Sequence, residues 1–140
     1  MKKIIILFLT GIACIACSEL TNNSTGSTNS QAIISTDLLK NAPSDPLTIN
    51  NLDIIGDSIS INFSASGCNG NTWDIRFIAD ELIAESLPPQ RQVRISLKND
   101  EICDAIISRE LTFDISNLQV EGDEIQLNIV NSNDSILYEY

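Results

Sequence analysis

Ser58-Ile59-Ser60-Ile61-Asn62-Phe63-Ser64-Ala65 decides the fold. Its odd positions carry Ile59, Ile61, Phe63 and Ala65, and its even positions carry Ser58, Ser60, Asn62 and Ser64. Successive side chains of a strand point to opposite faces, so this alternation predicts a strand with one face buried and one in water. The pattern recurs on both sides. Ile49, Leu52 and Ile54 precede it, before a Gly56-Asp57 turn. After the loop Gly67-Cys68-Asn69-Gly70-Asn71 comes an inward set of Trp73, Ile75, Phe77 and Ala79, predicted to pair with the first strand as a hairpin. Val93, Ile95 and Leu97 follow; then Ile106-Ile107 and Leu111, Phe113 and Ile115, read as separate short strands; then Ile125, Leu127 and Ile129; and finally Ile136, Tyr138 and Tyr140. Asn99-Asp100, Gly122-Asp123 and residues 131–134 supply turns. Short strands with turns every 8–12 residues or so predict an all-β domain, a small antiparallel β-sandwich (Ig-like) of about seven strands over residues 32–140. Two stretches stay open: 32–40 fits a short strand or one helical turn, and 80–86 fits a helical turn or a bulged continuation of the strand before Pro88-Pro89.

The chain start has another character. Lys2 and Lys3 precede an apolar run from Ile4 to Ile15, then Ala16-Cys17. A basic start, an apolar run of about 7–15 residues and small residues before a cut describe an export signal, and the run is too short to span a membrane. Ending on a cysteine, it resembles a bacterial lipoprotein signal, which implies residues 1–16 as signal peptide and lipidation at Cys17. Ile12-Ala13-Cys14 offers a second match; Cys17 is preferred because a fuller apolar run precedes it. Neither has the usual leading Leu. One acyl chain anchors marginally, at about 0.8 kcal/mol per buried CH₂, and stable anchoring needs more than one. Lipoproteins of this type carry several, palmitate among them. The expected address is the cell envelope, anchored by lipid at the outer membrane. Residues 17–31, with the uncharged TNNSTGSTNSQ at their end, read as the lipidated cysteine and a flexible tether.

Cleavage before Cys17 removes Lys2 and Lys3. That leaves 6 basic against 19 acidic residues, a net charge of −13. Such a surface repels phosphate backbones, so nucleic acid is not an expected partner. Histidine is absent, which removes the commonest general base and metal ligand and every Ser-His or Cys-His nucleophile. No catalytic residue, metal site or cofactor is expected. Asn99-Asp100-Glu101 with Asp104, and Glu121-Gly122-Asp123-Glu124, gather oxygen ligands that Ca²⁺ uses, without the spacing of the twelve-residue calcium loop.

With Cys14 lost and Cys17 lipidated, Cys68 and Cys103 remain. Disulfides persist in exported proteins, and no Cys-x-x-Cys redox spacing is present, so a Cys68–Cys103 bond is expected.

Gly67-Cys68, Ser86-Leu87-Pro88-Pro89, Cys103, Leu111-Thr112-Phe113-Asp114-Ile115 and Ile136-Leu137-Tyr138-Glu139-Tyr140 together resemble a group of small Bacteroidota lipoproteins of unknown function, from about Ser35 onward. More distantly the chain is similar to the NigD-like C-terminal β-sandwich. The resemblance implies fold and location, and no activity. Members of the group often follow the Gly-Cys with an acidic residue and a histidine, where this chain has Asn69-Gly70-Asn71-Thr72. A site built on that histidine is missing here.

Asp57-Ser58-Ile59 and Asp134-Ser135-Ile136 match an O-glycosylation pattern of exported Bacteroidota proteins, at Ser58 and Ser135, and also ordinary turn chemistry. Trp73, Tyr138 and Tyr140 are the aromatics that a sugar or peptide groove would use; an inward Trp73 favours the core instead. The expected function is a non-enzymatic binding or structural module, held at the membrane through its lipid and facing an envelope protein or glycan. The alternative is an inhibitor of an envelope hydrolase, lysozyme- or protease-inhibitor-like, inserting Leu87-Pro88-Pro89-Gln90-Arg91. A third reading is a hydrolase using carboxylates alone, which needs a pair in an open cleft.

Overall fold

The computed structural model describes residues 30–140. The signal peptide, Cys14, Cys17 and residues 17–29 of the expected tether lie outside the described residues. The tether's last two residues, Ser30 and Gln31, belong to the fold instead. They form β1 (Ser30–Gln31), followed by β2 (Ile33–Ile34) and helix α1 (Thr36–Asn41), so the open stretch at 32–40 contains both a strand and a helical turn. Then come β3 (Thr48–Ile55), β4 (Ser58–Gly67), β5 (Asp74–Ala84), β6 (Gln90–Lys98), β7 (Ala105–Asp114), a 3₁₀ turn (Ser116–Leu118), β8 (Glu124–Ile129) and β9 (Ser135–Glu139).

The all-β expectation is met by two sheets, ordered β1-β7-β4-β3 and β2-β5-β6-β8-β9. Both are mixed: β1–β7, β2–β5 and β6–β8 pair in parallel, the other four pairs antiparallel. Residues 106–115 are not two short strands, because β7 runs unbroken along β4 from Ala105 to Asp114. β5 continues through the ambiguous 80–84 stretch as a bulge, with Ala79 opposite Val93 and Ile83 opposite Arg91.

The alternation read in the sequence fills the space between the sheets. Ile59, Ile61, Phe63, Phe77, Val93, Ile95, Leu97, Phe113, Ile125, Leu127 and Ile129 form one buried cluster, with Ile75 and Leu111 packed at its margin. Phe77 and Phe113 stack across the two layers with centroids 5.7 Å apart. Period-two patterning fails at Ile78, which points outward yet is fully buried, because α1 covers it with Leu39 and Ala42. Ser35 caps α1 by accepting from the Leu38 N–H. The Arg94 guanidinium donates to the Leu39, Ala42 and Pro43 carbonyls at the other end, satisfying acceptors that a helix terminus leaves open.

One expected pairing is corrected. β4 and β5 do not form a hairpin; they lie in different sheets. Each turns one apolar face to the same core, and both faces are satisfied at once by placing the strands on opposite sides of it. Residues 68–73 therefore cross between layers, and so do residues 99–104, which carry the chain from β6 back to β7.

Candidate functional site

The two crossings meet at one end of the sandwich. Cys68 and Cys103 are disulfide-bonded there, with Cα atoms 4.8 Å apart. Beside the bond, Glu101 Oε2 accepts from the Cys68, Asn69 and Gly70 N–H groups at 2.5, 3.1 and 3.0 Å, while Oε1 accepts from Thr72 Oγ1 at 3.0 Å. Gly70 adopts φ +70°, and a Cβ on Gly67 would sit 2.5 Å from Glu101 Oε2 and 2.8 Å from the Trp73 ring. The glycines of the Gly67-to-Gly70 loop thus open a backbone nest for an anion, and the chain fills it with its own carboxylate. Burial pushes the Glu101 carboxyl up, but the three backbone N–H groups and Thr72 outweigh it and hold the pKa at about 2. Asn99, Asp100, Glu101 and Asp104 therefore do not gather as a calcium site: Glu101 has one oxygen on three backbone N–H groups and the other on the Thr72 hydroxyl. No group of three or more potential metal ligands occurs among the described residues.

A pH dependence follows from this lock. Glu101's folded pKa lies below its ordinary 4.5, so its contribution is complete above about 4.5 and is lost as pH falls toward about 2. Glu101→Gln should lower stability near neutrality and flatten the acid limb between those values, as read by thermal unfolding against pH. An unchanged acid limb would remove Glu101 from the lock.

The tip of β5 and β6 presents a different surface. Leu82 and Leu87 are 70% and 97% exposed, and Ile83, Glu81 and Glu85 between or next to them in the chain are exposed as well. The bulge is held by Asp80. Thr36 Oγ1 and the Leu82 N–H donate to its carboxylate. Thr36 leads the causes that lower its pKa, and burial opposes them. Below the tip, the outer face of the five-stranded sheet carries two shallow clefts of about 310 and 320 Å³ that share Gln92 and Asn128. Within the proposed insertion loop only Leu87 protrudes; Arg91 turns inward at 6% exposure, and its Nε and Nη1 have no partner.

The other sequence-predicted positions separate. Ser135 is exposed at the start of β9, whereas Ser58 is half-buried inside the β3–β4 pairing. Trp73 and Tyr138 are buried, so neither offers a ring to a sugar. The Tyr138 hydroxyl donates to Asp57 Oδ1 at 2.6 Å, and Gln119 donates to both. Burial, with Asp57 adding to it, pushes the phenol up to about 12. Sequence reasoning missed this cluster because its members lie 81 and 19 residues apart. The carboxyls of Asp80, Glu101 and Asp114 are all held low by hydrogen-bond donors, whereas a carboxylic general acid must be held protonated.

No protein-family model and no curated protein matches the sequence. Three solved structures resemble the fold. A NigD-like immunity protein from Bacteroides caccae matches with a TM-score of 0.54 and 6% identity over 78% of this chain and 58% of its own. A protein of unknown function, DUF1344, from Bacteroides vulgatus matches with a TM-score of 0.53 and 14% identity over 79% and 56%. A toxin-related protein from Parabacteroides distasonis matches with a TM-score of 0.51 and 18% identity over 79% and 60%. The chain spans less than two thirds of the length of each. The likeness to a NigD-like sandwich read from the sequence is thus met at the level of fold.

Proposed function

We propose that this chain is a lipid-anchored protein of the cell envelope whose β-sandwich is a non-enzymatic module for binding a basic protein. The tip of β5 and β6 carries this reading, with Leu82 and Leu87 in water and Glu81 and Glu85 exposed close by in the chain. Apolar clusters rimmed by polar groups mark surfaces that a partner covers, and an acidic rim favours a partner of opposite charge. A further observation supports binding over turnover: a fold neighbour is described as an immunity protein. The anchor rests on the run from Lys2 to Cys17, with acylation at Cys17 and an outer-membrane address.

Leu82→Asp combined with Leu87→Asp should abolish capture of basic proteins from envelope extract while leaving the melting temperature nearly unchanged, since both side chains are exposed. Equal capture by wild type and variant would refute the site. Cys17→Ser should move the protein to the soluble fraction or stall its processing. Unchanged membrane fractionation of that variant, with Cys14 unmodified, would remove the anchor.

A second reading, inhibition of an envelope hydrolase, is favoured by one observation: Leu87 stands clear of the surface at the head of a tight loop, where the Ser86 hydroxyl donates to the Pro88 carbonyl at 2.7 Å. Titration of a basic lysozyme with the purified domain separates the two, because only an inhibitor lowers its rate.

A further inference from the structure

β7 is a ten-residue strand with one side nearly bare. It pairs with β4 along its whole length, but on its other side only β1 is bound, opposite Phe113 and Asp114. Among the described residues nothing pairs there with Ala105 to Leu111. The parity of the bare side is fixed by the Ala32 N–H, which donates to the Asp114 carbonyl at 2.8 Å. Backbone groups alternate sides along a strand, so Ile106, Ser108 and Glu110 turn their N–H and C=O groups to the open edge. Natural edges are blunted by proline, lysine, inward charge or a bulge. β7 has no proline, lysine or bulge at its open positions, where Glu110 is the one charge. Its one inward charge, Arg109, is tied back to the Gly70 carbonyl. The other edges are shorter or interrupted: β3 carries a bulge between Ile49 and Asn51, β9 has five residues, and on β5 beyond Ala79 the Leu82 N–H already donates to Asp80.

We propose that the open edge of β7 is a docking edge, at which an extended segment of a basic partner protein adds as a further strand. This deepens, and rests on, the reading of a basic protein partner. Backbone pairing supplies the affinity in this mode and side-chain positions supply the choice. The edge already accepts a parallel strand in β1. Ile106 is 70% exposed at an open position of this edge, which suits an apolar side chain of the guest. Glu110 is exposed two pairs along, which suits a lysine or arginine. The acidity of the chain selects against a second copy as guest, since two such surfaces repel. Location fits as well. Ala32 alone separates β1, at the edge of one sheet, from β2, at the edge of the other. β7 and β5, with its exposed Leu82, therefore flank the same side of the sandwich.

The test uses the full mature chain and a nonapeptide of alternating lysine and valine as probe, followed by residue-resolved amide exchange. Without probe, the amides of 106, 108 and 110 should exchange fast and those of 107, 109 and 111 slowly. With probe, the fast set should become protected. The same peptide with methylated backbone amides keeps its charge but cannot pair, and should bind about tenfold more weakly. Ser108→Pro removes an open-edge N–H without touching the β4 ladder and should weaken binding similarly. If that variant folds poorly, Glu110→Lys replaces it, and should shift preference to a peptide of alternating glutamate and valine. Three results overturn the edge: fast-set amides already protected in the free chain, which means its own residues or a second copy cover it; no protection with probe; or equal binding of the methylated peptide, which means charge alone. None of these touches the binding reading, which stands or falls on capture by the Leu82 and Leu87 variant.

Discussion

Replacing Cys68 and Cys103 together by alanine should lower the stability of this domain by roughly 3–4 kcal/mol, the chain-entropy value for a loop of about 35 residues. The bond does more than shorten an unfolded loop. It joins the two segments that pass between the sheets at one end, residues 68–73 and 99–104, and Glu101 clasps the same pair through three backbone N–H groups. Disulfide and carboxylate share partners, so their losses should not add: the triple variant with Glu101→Gln should fall short of the sum or exceed it. Urea unfolding of the four species measures this. A loss below about 1 kcal/mol for the double alanine variant would mean that core packing alone holds the crossings together.

The other large effect is expected at Phe77. Its ring is fully buried, comes from the five-stranded sheet and stacks on Phe113 from the four-stranded one. Phe77→Ala should cost about 3–5 kcal/mol, the lost transfer energy of a buried aromatic plus the cavity left behind. Small domains have about 5–15 kcal/mol in total, so this variant should melt far below wild type. Phe77→Leu, which refills most of the volume, should recover much of the loss. A melting temperature for Phe77→Ala within a few degrees of wild type would show that the two layers do not depend on this contact.

The contrast between the two ends of the molecule bears on its use. At the disulfide end the Cys68, Asn69 and Gly70 N–H groups that could bind an anion are satisfied from within, because Glu101 occupies its own nest. At the β5–β6 end Leu82 and Leu87 have nothing over them.

Local chemistry was legible in the sequence. Ser58 to Ala65 dictates a half-buried strand because its period of two holds whatever the strand pairs with. The same reasoning identified the buried set from Ile59 through Ile129, since burial follows from alternation without knowledge of neighbours. The sandwich was legible from the number of such strands, and the Cys68–Cys103 pairing from the two cysteines that remain once the expected signal and lipid cysteines are set aside. Tertiary structure alone decided which strands neighbour one another. An apolar face states that a strand needs a core, but two sheets facing one core satisfy it equally, so nothing in residues 58–79 could separate a hairpin from a crossing. The parallel pairing of β6 with β8 is of the same kind. So are the burial of Ile78 beneath α1, which reverses its place in the alternation, and the convergence of Glu101 on three N–H groups about thirty residues away. The bare edge of β7 belongs here too. An edge is the absence of a neighbour, and a strand's sequence records its own two faces while its two sides depend on what the rest of the chain places beside them.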